Sequence, residues 1–355
     1  MKITKPTLLV NKEKCLENIR RMADKAKAAN AELRPHFKTH HSAEIGEWFR
    51  KFGVSKCTAS SVTMAQYFAA AGWNDITIAF PYNPLESEDI SEIAKTTSLN
   101  ILIESEESLR LANQLIQNPV GYFLKIDIGT HRTGIDPEKL ALIESLVQSS
   151  TDKVKFKGFL GHAGHTYYSP KAEIPSIFAD SVLILNKLKS KFGGIISYGD
   201  TPSCSMIPDL SGVDEIRAGN FVFFDWMQKE IGSCKTEDIS VCLASPVVAI
   251  HEERDEVVVF GGGVHLSKEG LEENGKKSFG KAVRLTTNGW KSPVIGNVRK
   301  ISQEHGIVQM PAAEIAKLKL GDLLGILPVH SCMAADLQGH YYSTSGEKIL
   351  KIIKD

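Results

Sequence analysis

A chain of 355 residues with 42 basic and 42 acidic side chains carries no overall field to draw it to nucleic acid or an anionic membrane, which leaves small-molecule chemistry. No apolar run approaches the ~18 residues of a membrane span, and the opening MKITKPTLLVNKEK lacks a signal-length apolar stretch and a cleavage site, so a cytoplasmic location is expected. Cys15, Cys57, Cys204, Cys234, Cys242 and Cys332 lack paired spacing and read as reduced thiols, which excludes a disulfide framework.

The first element is the short apolar run TLLV. Asn11 then caps a helix from Lys12, with Leu16, Ile19, Ala23 and Ala26 as its apolar stripe and Asn30 at its end. Eight apolar or alternating runs follow: AELRPHF, SKCTAS, DITIAF, LNILIES, VGYFLKIDIG, VKFKGFLGH, GIISYGD and DEIRAGN. Each predicts a strand, and the segments between them have helical period. In DPEKLALIESL, Asp136 caps a helix with Pro137 at its first position; a later helix carries Phe178, Val182, Leu185 and Leu188 on one face and stops at Gly193 and Gly194. Eight such alternations, without a G-x-G-x-x-G turn after the first strand, predict an α/β fold with a parallel (β/α)8 TIM barrel over residues 11–230. Beyond it, residues 231–355 are rich in Val and Ile and broken by Gly and Pro, which predicts a mainly antiparallel β domain; residues 1–10 are expected to add a strand to it.

Barrel chemistry sits at the C-terminal strand ends, so each end is a candidate position. Lys38, in RPHFKTHH, lies just past the first strand. In the fifth strand, Tyr122, Leu124, Ile126 and Ile128 share one face; Phe123, Lys125 and Asp127 share the other, which points inward because the apolar set meets the helices. Buried charges need partners, and Arg132 at the strand end is placed to join them. An ion-pair network that only holds the barrel together is the competing reading. His162 and His165, three apart at a strand end, are not held on one face as metal ligands are. Tyr167 offers a flat aromatic surface for a cofactor. GDTPSCS and RAGN end the seventh and eighth strands, the usual phosphate corner, where Thr201, Ser203, Gly219 and Asn220 supply hydroxyls and N–H groups. A plain turn reads equally well there. Combined with a strand-one lysine, the corner suggests a phosphorylated aldehyde: a pyridoxal 5'-phosphate site.

These motifs, RPHFKTH, KIDIGTHRTG, GHAGHTYY, GDTPS, EIRAGN and PVHSC in that order, resemble the fold type III pyridoxal phosphate enzymes typified by alanine racemase, and within them the D-serine dehydratase and D-threonine aldolase branch. The resemblance implies that Lys38 forms the Schiff base and serves as the catalytic base, and that Arg132 contacts the ring oxygen. Tyr167 would lie at the cofactor, with Thr201, Gly219 and Asn220 around the phosphate. Lys125 falls where alanine racemases keep a lysine that can be carbamylated.

In the β domain, His330 and Cys332 are two residues apart, so on an extended segment both point to one side and can grip one Zn2+, with Mn2+ the alternative. A loop histidine beside an inert cysteine is the bland reading of so short a pattern, and the resemblance tips it toward the metal. Two protein ligands leave coordination open for a substrate hydroxyl. The resemblance implies a PLP- and zinc-dependent lyase on D-3-hydroxy amino acids, most directly a D-serine dehydratase, because within that family a cysteine as second ligand goes with the dehydratases and an aspartate with the aldolases. D-threonine aldolase or an amino-acid racemase are the enzymatic alternatives. A PLP carrier protein is the non-enzymatic one, disfavoured by the additional β domain, and a cofactor-free sugar-phosphate barrel is a third class. The resemblance also implies a homodimer with shared active sites, cofactor and metal coming from different chains. His305 and His340 read as structural.

Overall fold

The computed structural model describes residues 2–273 and 275–352. Two compact units emerge, one of residues 20–38 and 46–219, the other of residues 1–19, 39–45 and 220–355. The divisions fall between Lys38 and Thr39 and between Gly219 and Asn220. Among the described residues no helix is long and apolar enough to cross a membrane.

Thr7–Val10 forms β1 of the second unit. The first unit is built on eight parallel strands: β2 (Glu32–Leu33), β3 (Cys57–Ala59), β4 (Asp75–Pro81), β5 (Ser98–Ile103), β6 (Val120–Ile126), β7 (Val154–Gly161), β8 (Ile195–Tyr198) and β9 (Glu215–Ile216). They lie in the order β2-β9-β8-β7-β6-β5-β4-β3, and a parallel bridge from His36 to Thr58 joins the two ends. The expected parallel (β/α)8 TIM barrel is therefore present. Its first strand is shorter than the run AELRPHF suggests. Pro35 has no N–H for the ladder, and contact with β3 runs through carbonyls: that of Pro35 accepts from Thr58 N–H at 2.9 Å and that of Arg34 from Thr58 Oγ1 at 3.0 Å.

Helices fall between the strands, and two of the expected helices need correction. The helix Lys12–Ala28 is capped by Asn11, whose Oδ1 accepts from Lys14 N–H at 3.0 Å. Its buried positions are Cys15, Asn18, Ile19, Met22 and Ala26, while Leu16 and Ala23 are half-buried. Asp136 does not cap a helix: its Oδ1 accepts from Glu138 N–H in a local turn, and the helix starts at Leu140. An Asx turn satisfies the carboxylate without helical backbone, which is the competing use of this residue.

Within the barrel β6 alternates as its period-two pattern requires. Tyr122 donates its hydroxyl to the carbonyl of Leu146 on the helix Leu140–Gln148, whereas Phe123 packs with Leu102 and Leu160. The buried Arg34 guanidinium meets Glu215 at 2.6 Å and Asp75 at 2.7 Å. Glu215 in turn accepts from Ser197 Oγ at 2.6 Å, and Ser197 Oγ accepts from Arg217 Nε at 2.6 Å.

The second unit is a nine-stranded sheet with a small hairpin. Its strands are β10 (Val241–His251), β11 (Glu256–Phe260), β14 (Gly280–Thr286), β15 (Gly289–Ile301), β16 (His305–Gln309), β17 (Leu323–Pro328), β18 (His340–Ser343) and β19 (Lys348–Leu350), with β1; the hairpin is β12 (Leu271–Glu273) and β13 (Lys276–Ser278). The order is β11-β16-β15-β14-β17-β10-β1-β18-β19, with β10 also paired to β11, so six strands close on themselves. All pairings are antiparallel except β1 with β18. Inward positions are the alternating apolar ones: Leu243, Val257, Val259, Val298, Val308, Leu324 and Ile326 are buried.

Candidate active site

Lys38 follows β2 in a single 3-10 turn, Phe37–Thr39. Phe37 is fully buried, its ring 4.8–5.2 Å from those of Phe49, Phe68 and Trp73. That anchor fixes the backbone of the next residue, whose side chain is exposed at the strand end. Lys38 N–H points at His36 Nδ1, 3.4 Å away.

Beneath these ends lies a buried cationic floor. Lys125 is 5% exposed and donates Nζ to the carbonyl of Ile126 at 2.8 Å. Burial and then the Arg217 guanidinium push its pKa down to about 8, against the pull of Glu104 and Asp127. Arg217 donates to the carbonyl of Gly161 at 2.5 Å, and burial lowers its pKa to about 10. Gly199 is needed here: a Cβ on it would come within 2.9 Å of the Arg217 Cβ. Burial, then the cations Lys38 and Arg217, hold the His162 imidazole well below its ordinary pKa; its Nδ1 meets the Gly199 carbonyl. His165 is held separately, Nδ1 at 3.2 Å from Thr130 Oγ1. The two Nδ1 atoms thus meet different partners, the Gly199 carbonyl and Thr130 Oγ1.

Arg132 is exposed, in a loop that Gly134 folds back over Asp127 with φ of +115°. Its charge reaches Lys125 and His162 without a hydrogen bond between them. Tyr167 is half-buried at the end of the 3-10 turn Gly164–Tyr167, and neighbouring Thr166 is fixed to Asp200 at 3.0 Å.

GDTPSCS is not a plain turn but the start of a short helix, Thr201–Met206, capped by Asp200, whose Oδ1 accepts from Ser203 N–H at 2.6 Å. Ser203 Oγ accepts from Tyr198 at 3.1 Å. Both groups of Ser203 are thus engaged inside the barrel wall. Thr201 Oγ1, in contrast, is buried with no protein hydrogen-bond partner among the described residues. Gly219 is buried at the end of the eighth barrel strand.

The second unit gathers the remaining candidates. His330 is extended and caps the helix Ser331–Asp336, in which Cys332 lies. HSC is therefore not a strand segment as expected; the helix-favouring SCMAAD that follows turns the chain, and the two side chains still hydrogen-bond to each other. Glu269 Oε2 stands 2.6 Å from His330 Nδ1. Burial opposes charge on this ring, but Cys332, Glu269 and Asp225 outweigh it and raise its pKa to about 11. Asp225 is 1% exposed and accepts from Ser331 N–H at 2.9 Å and from Asn220 Nδ2 at 2.6 Å. Asn220 Nδ2 also lies 3.5 Å from Cys332 Sγ, so its side chain is turned to the HSC loop. Cys332 Sγ is 3.3 Å from Thr39 Oγ1. Thr39 is the residue that follows Lys38 in the chain.

Glu269, Asp225 and Arg217 carry this arrangement and were not singled out by motif. Arg217 was visible inside EIRAGN. Asp225 shows in sequence only as a helix cap, and Glu269 has no local signal because its partner is 61 positions away.

Residues 10–225 match the family model described as "Alanine racemase, N-terminal domain", and residues 240–344 match "Putative serine dehydratase domain". The chain belongs to the alanine racemase-like family. It is 28% identical to the D-serine dehydratase of Dictyostelium discoideum over 95% of this chain and 92% of that protein. It is 27% identical to the D-threo-3-hydroxyaspartate dehydratase of Delftia sp. (strain HT23), over 92% and 90%. A metal-free C-to-A variant of a D-threo-3-hydroxyaspartate dehydratase has the same fold, with a TM-score of 0.89 at 22% identity, covering 99% of this chain and 98% of that one.

For this alanine racemase-like chain, the residues fit the cofactor that the family implies. A buried hydroxyl with no protein partner, Thr201 Oγ1, sits at the phosphate corner, and the cations Lys125 and Arg217 suit an anionic ligand. A metal is accommodated as well. No cluster of three or more His, Cys, Asp or Glu occurs among the described residues, but an imidazole and a thiol in contact form an open two-ligand pair.

Proposed function

We propose that this chain is a PLP- and metal-dependent lyase of D-3-hydroxy amino acids, acting as a D-serine-type dehydratase with Zn2+ on His330 and Cys332. The observation that carries the reading is the His330–Cys332 pair, fixed by Glu269 and Asp225 in the same chain as the strand-end Lys38. Two full-length relatives that are dehydratases support elimination over aldol cleavage.

Lys38 would hold PLP, Thr201 and the backbone at Gly219 its phosphate, and Arg132 and Tyr167 its ring. Bound there, PLP supplies an aldehyde for the substrate amine and a ring that takes up electrons from the α-carbon. Lys38 Nζ removes the α-proton, and the exposed strand-end position lets it reach the substrate. The sulfur of Cys332 and the remaining nitrogen of His330 would hold Zn2+, which would supply a Lewis acid for the β-hydroxyl; the α-proton and the hydroxyl are lost together as one water, and one water is taken up again when the resulting enamine hydrolyses. The net products are a 2-oxo acid and ammonia.

The test is product analysis on the holoenzyme with D-serine and D-threonine. A 2-oxo acid with ammonia, lost on chelation and restored by zinc, is expected. Glycine with an aldehyde would make it an aldolase, and α-proton exchange alone a racemase.

A further inference from the structure

His330 needs one ring nitrogen aimed at a metal, and an imidazole on a loop has two tautomers and a freely turning ring. The structure resolves that ambiguity. Glu269 Oε2 lies 2.6 Å from Nδ1, at 29% side-chain exposure against 22% for the histidine. The carboxylate is itself held. Its loop leaves the short helix Gly263–Leu266 through Ser267, which has φ of +71°, and Ser267 Oγ accepts from Glu269 N–H at 3.2 Å. Gly270 packs against the β13 strand so closely that a Cβ would reach Lys277 Cε at 2.8 Å and the Ser278 carbonyl at 3.0 Å. On the sulfur side, Thr39 Oγ1 and Asn220 Nδ2 lie at 3.3 and 3.5 Å. Both ligands are therefore braced from outside the pair, by different elements.

We propose that Glu269 is a positioning residue for the metal: it accepts the Nδ1 proton of His330, which fixes the tautomer and leaves Nε2 as the donor beside Cys332. A carboxylate on the far nitrogen of a ligating imidazole orients the ring and raises its basicity, and loss of such partners costs metal affinity by ~10–100-fold. In this proposal Glu269 acts through the His330 ring and not as a ligand. This rests on the reading of His330 and Cys332 as metal ligands.

The experiment measures zinc affinity of the PLP-loaded protein by chelator competition for the parent, Glu269→Ala, Glu269→Gln and His330→Ala, together with the thiolate-to-cobalt absorption of the Co2+-substituted forms. His330→Ala should lose tight binding. Glu269→Ala should bind ~10–100-fold more weakly, with the cobalt band shifted or lost, while Glu269→Gln, which keeps an oxygen acceptor for Nδ1, falls between. Parental affinity in Glu269→Ala alongside a defective His330→Ala overturns the positioning role and leaves the metal pair standing. Parental affinity in His330→Ala overturns the metal reading itself. Should Glu269→Ala fold poorly, 15N chemical shifts of the His330 ring in the zinc-loaded parent decide: a proton on Nε2 with Nδ1 bare overturns the proposal.

Discussion

Cys332 Sγ lies 3.3 Å from the hydroxyl of Thr39, the residue that follows Lys38 in the chain. We propose that Lys38 and Cys332 serve a site of one polypeptide. Mixing Lys38→Ala with Cys332→Ala chains under conditions that exchange subunits should therefore restore no activity, because each site would still lack one of its two groups. If sites were shared between chains, mixed dimers would contain one intact site. Recovery of about a quarter of parental turnover, the value for random pairing of equal amounts, would contradict the intrachain arrangement.

Borohydride reduction of the holoenzyme, followed by peptide mapping, should place the pyridoxyl group on Lys38 in PHFKTHH. Lys38→Ala should lose turnover yet unfold at the parental denaturant midpoint, since the side chain is exposed and the anchor of that turn is Phe37. A label on Lys125 instead would move the chemistry into the barrel floor.

Thr201→Val replaces a buried hydroxyl that lacks a protein partner by a methyl of the same shape. A hydrogen bond to a charged group is worth ~1.5–3 kcal/mol, so PLP retention should weaken by ~10–100-fold with zinc content unchanged. Equilibrium dialysis of PLP against parent and variant measures this. Unchanged retention would leave the phosphate anchored elsewhere.

Burial, with Arg217 beside it, lowers the Lys125 pKa from the ordinary 10.5 to about 8. Between those values the unfolded chain holds more proton than the folded one, so this group makes stability rise with pH across that window. Below pH 8 its charge costs the fold ~3 kcal/mol. Lys125→Met should accordingly be the more stable protein at pH 7 in urea titrations, and its advantage should vanish above about pH 10.5. An advantage independent of pH would point to packing alone.

Asp225→Ala removes an acceptor shared by Asn220, Ser331 and Gln228. Leaving those donors buried and unsatisfied should cost ~3–5 kcal/mol in urea unfolding and release zinc from the HSC loop. Parental stability with parental zinc content would mean that the loop is held by its helix alone.

Amino-acid order alone determined the eight barrel strands, because their apolar runs alternate with helical periods and every neighbour in such a barrel comes from a simple crossover. Lys38 was legible for the same reason: a polar residue just past a strand has a fixed address in the barrel. Local rules failed where two local solutions compete, as at Asp136, whose carboxylate closes a turn three residues before the helix begins, and at HSC, read as a strand but folded as a helix start. Glu269, and the hold of Asp225 on the HSC loop, were beyond sequence. Their partners are 61 and 106 positions away, a distance at which no periodicity or spacing carries information and only the closing of the sheet brings the atoms together. Arg217 stands between these cases, its place on the last barrel strand readable, its floor beside Lys125 decided by the packing against Gly199.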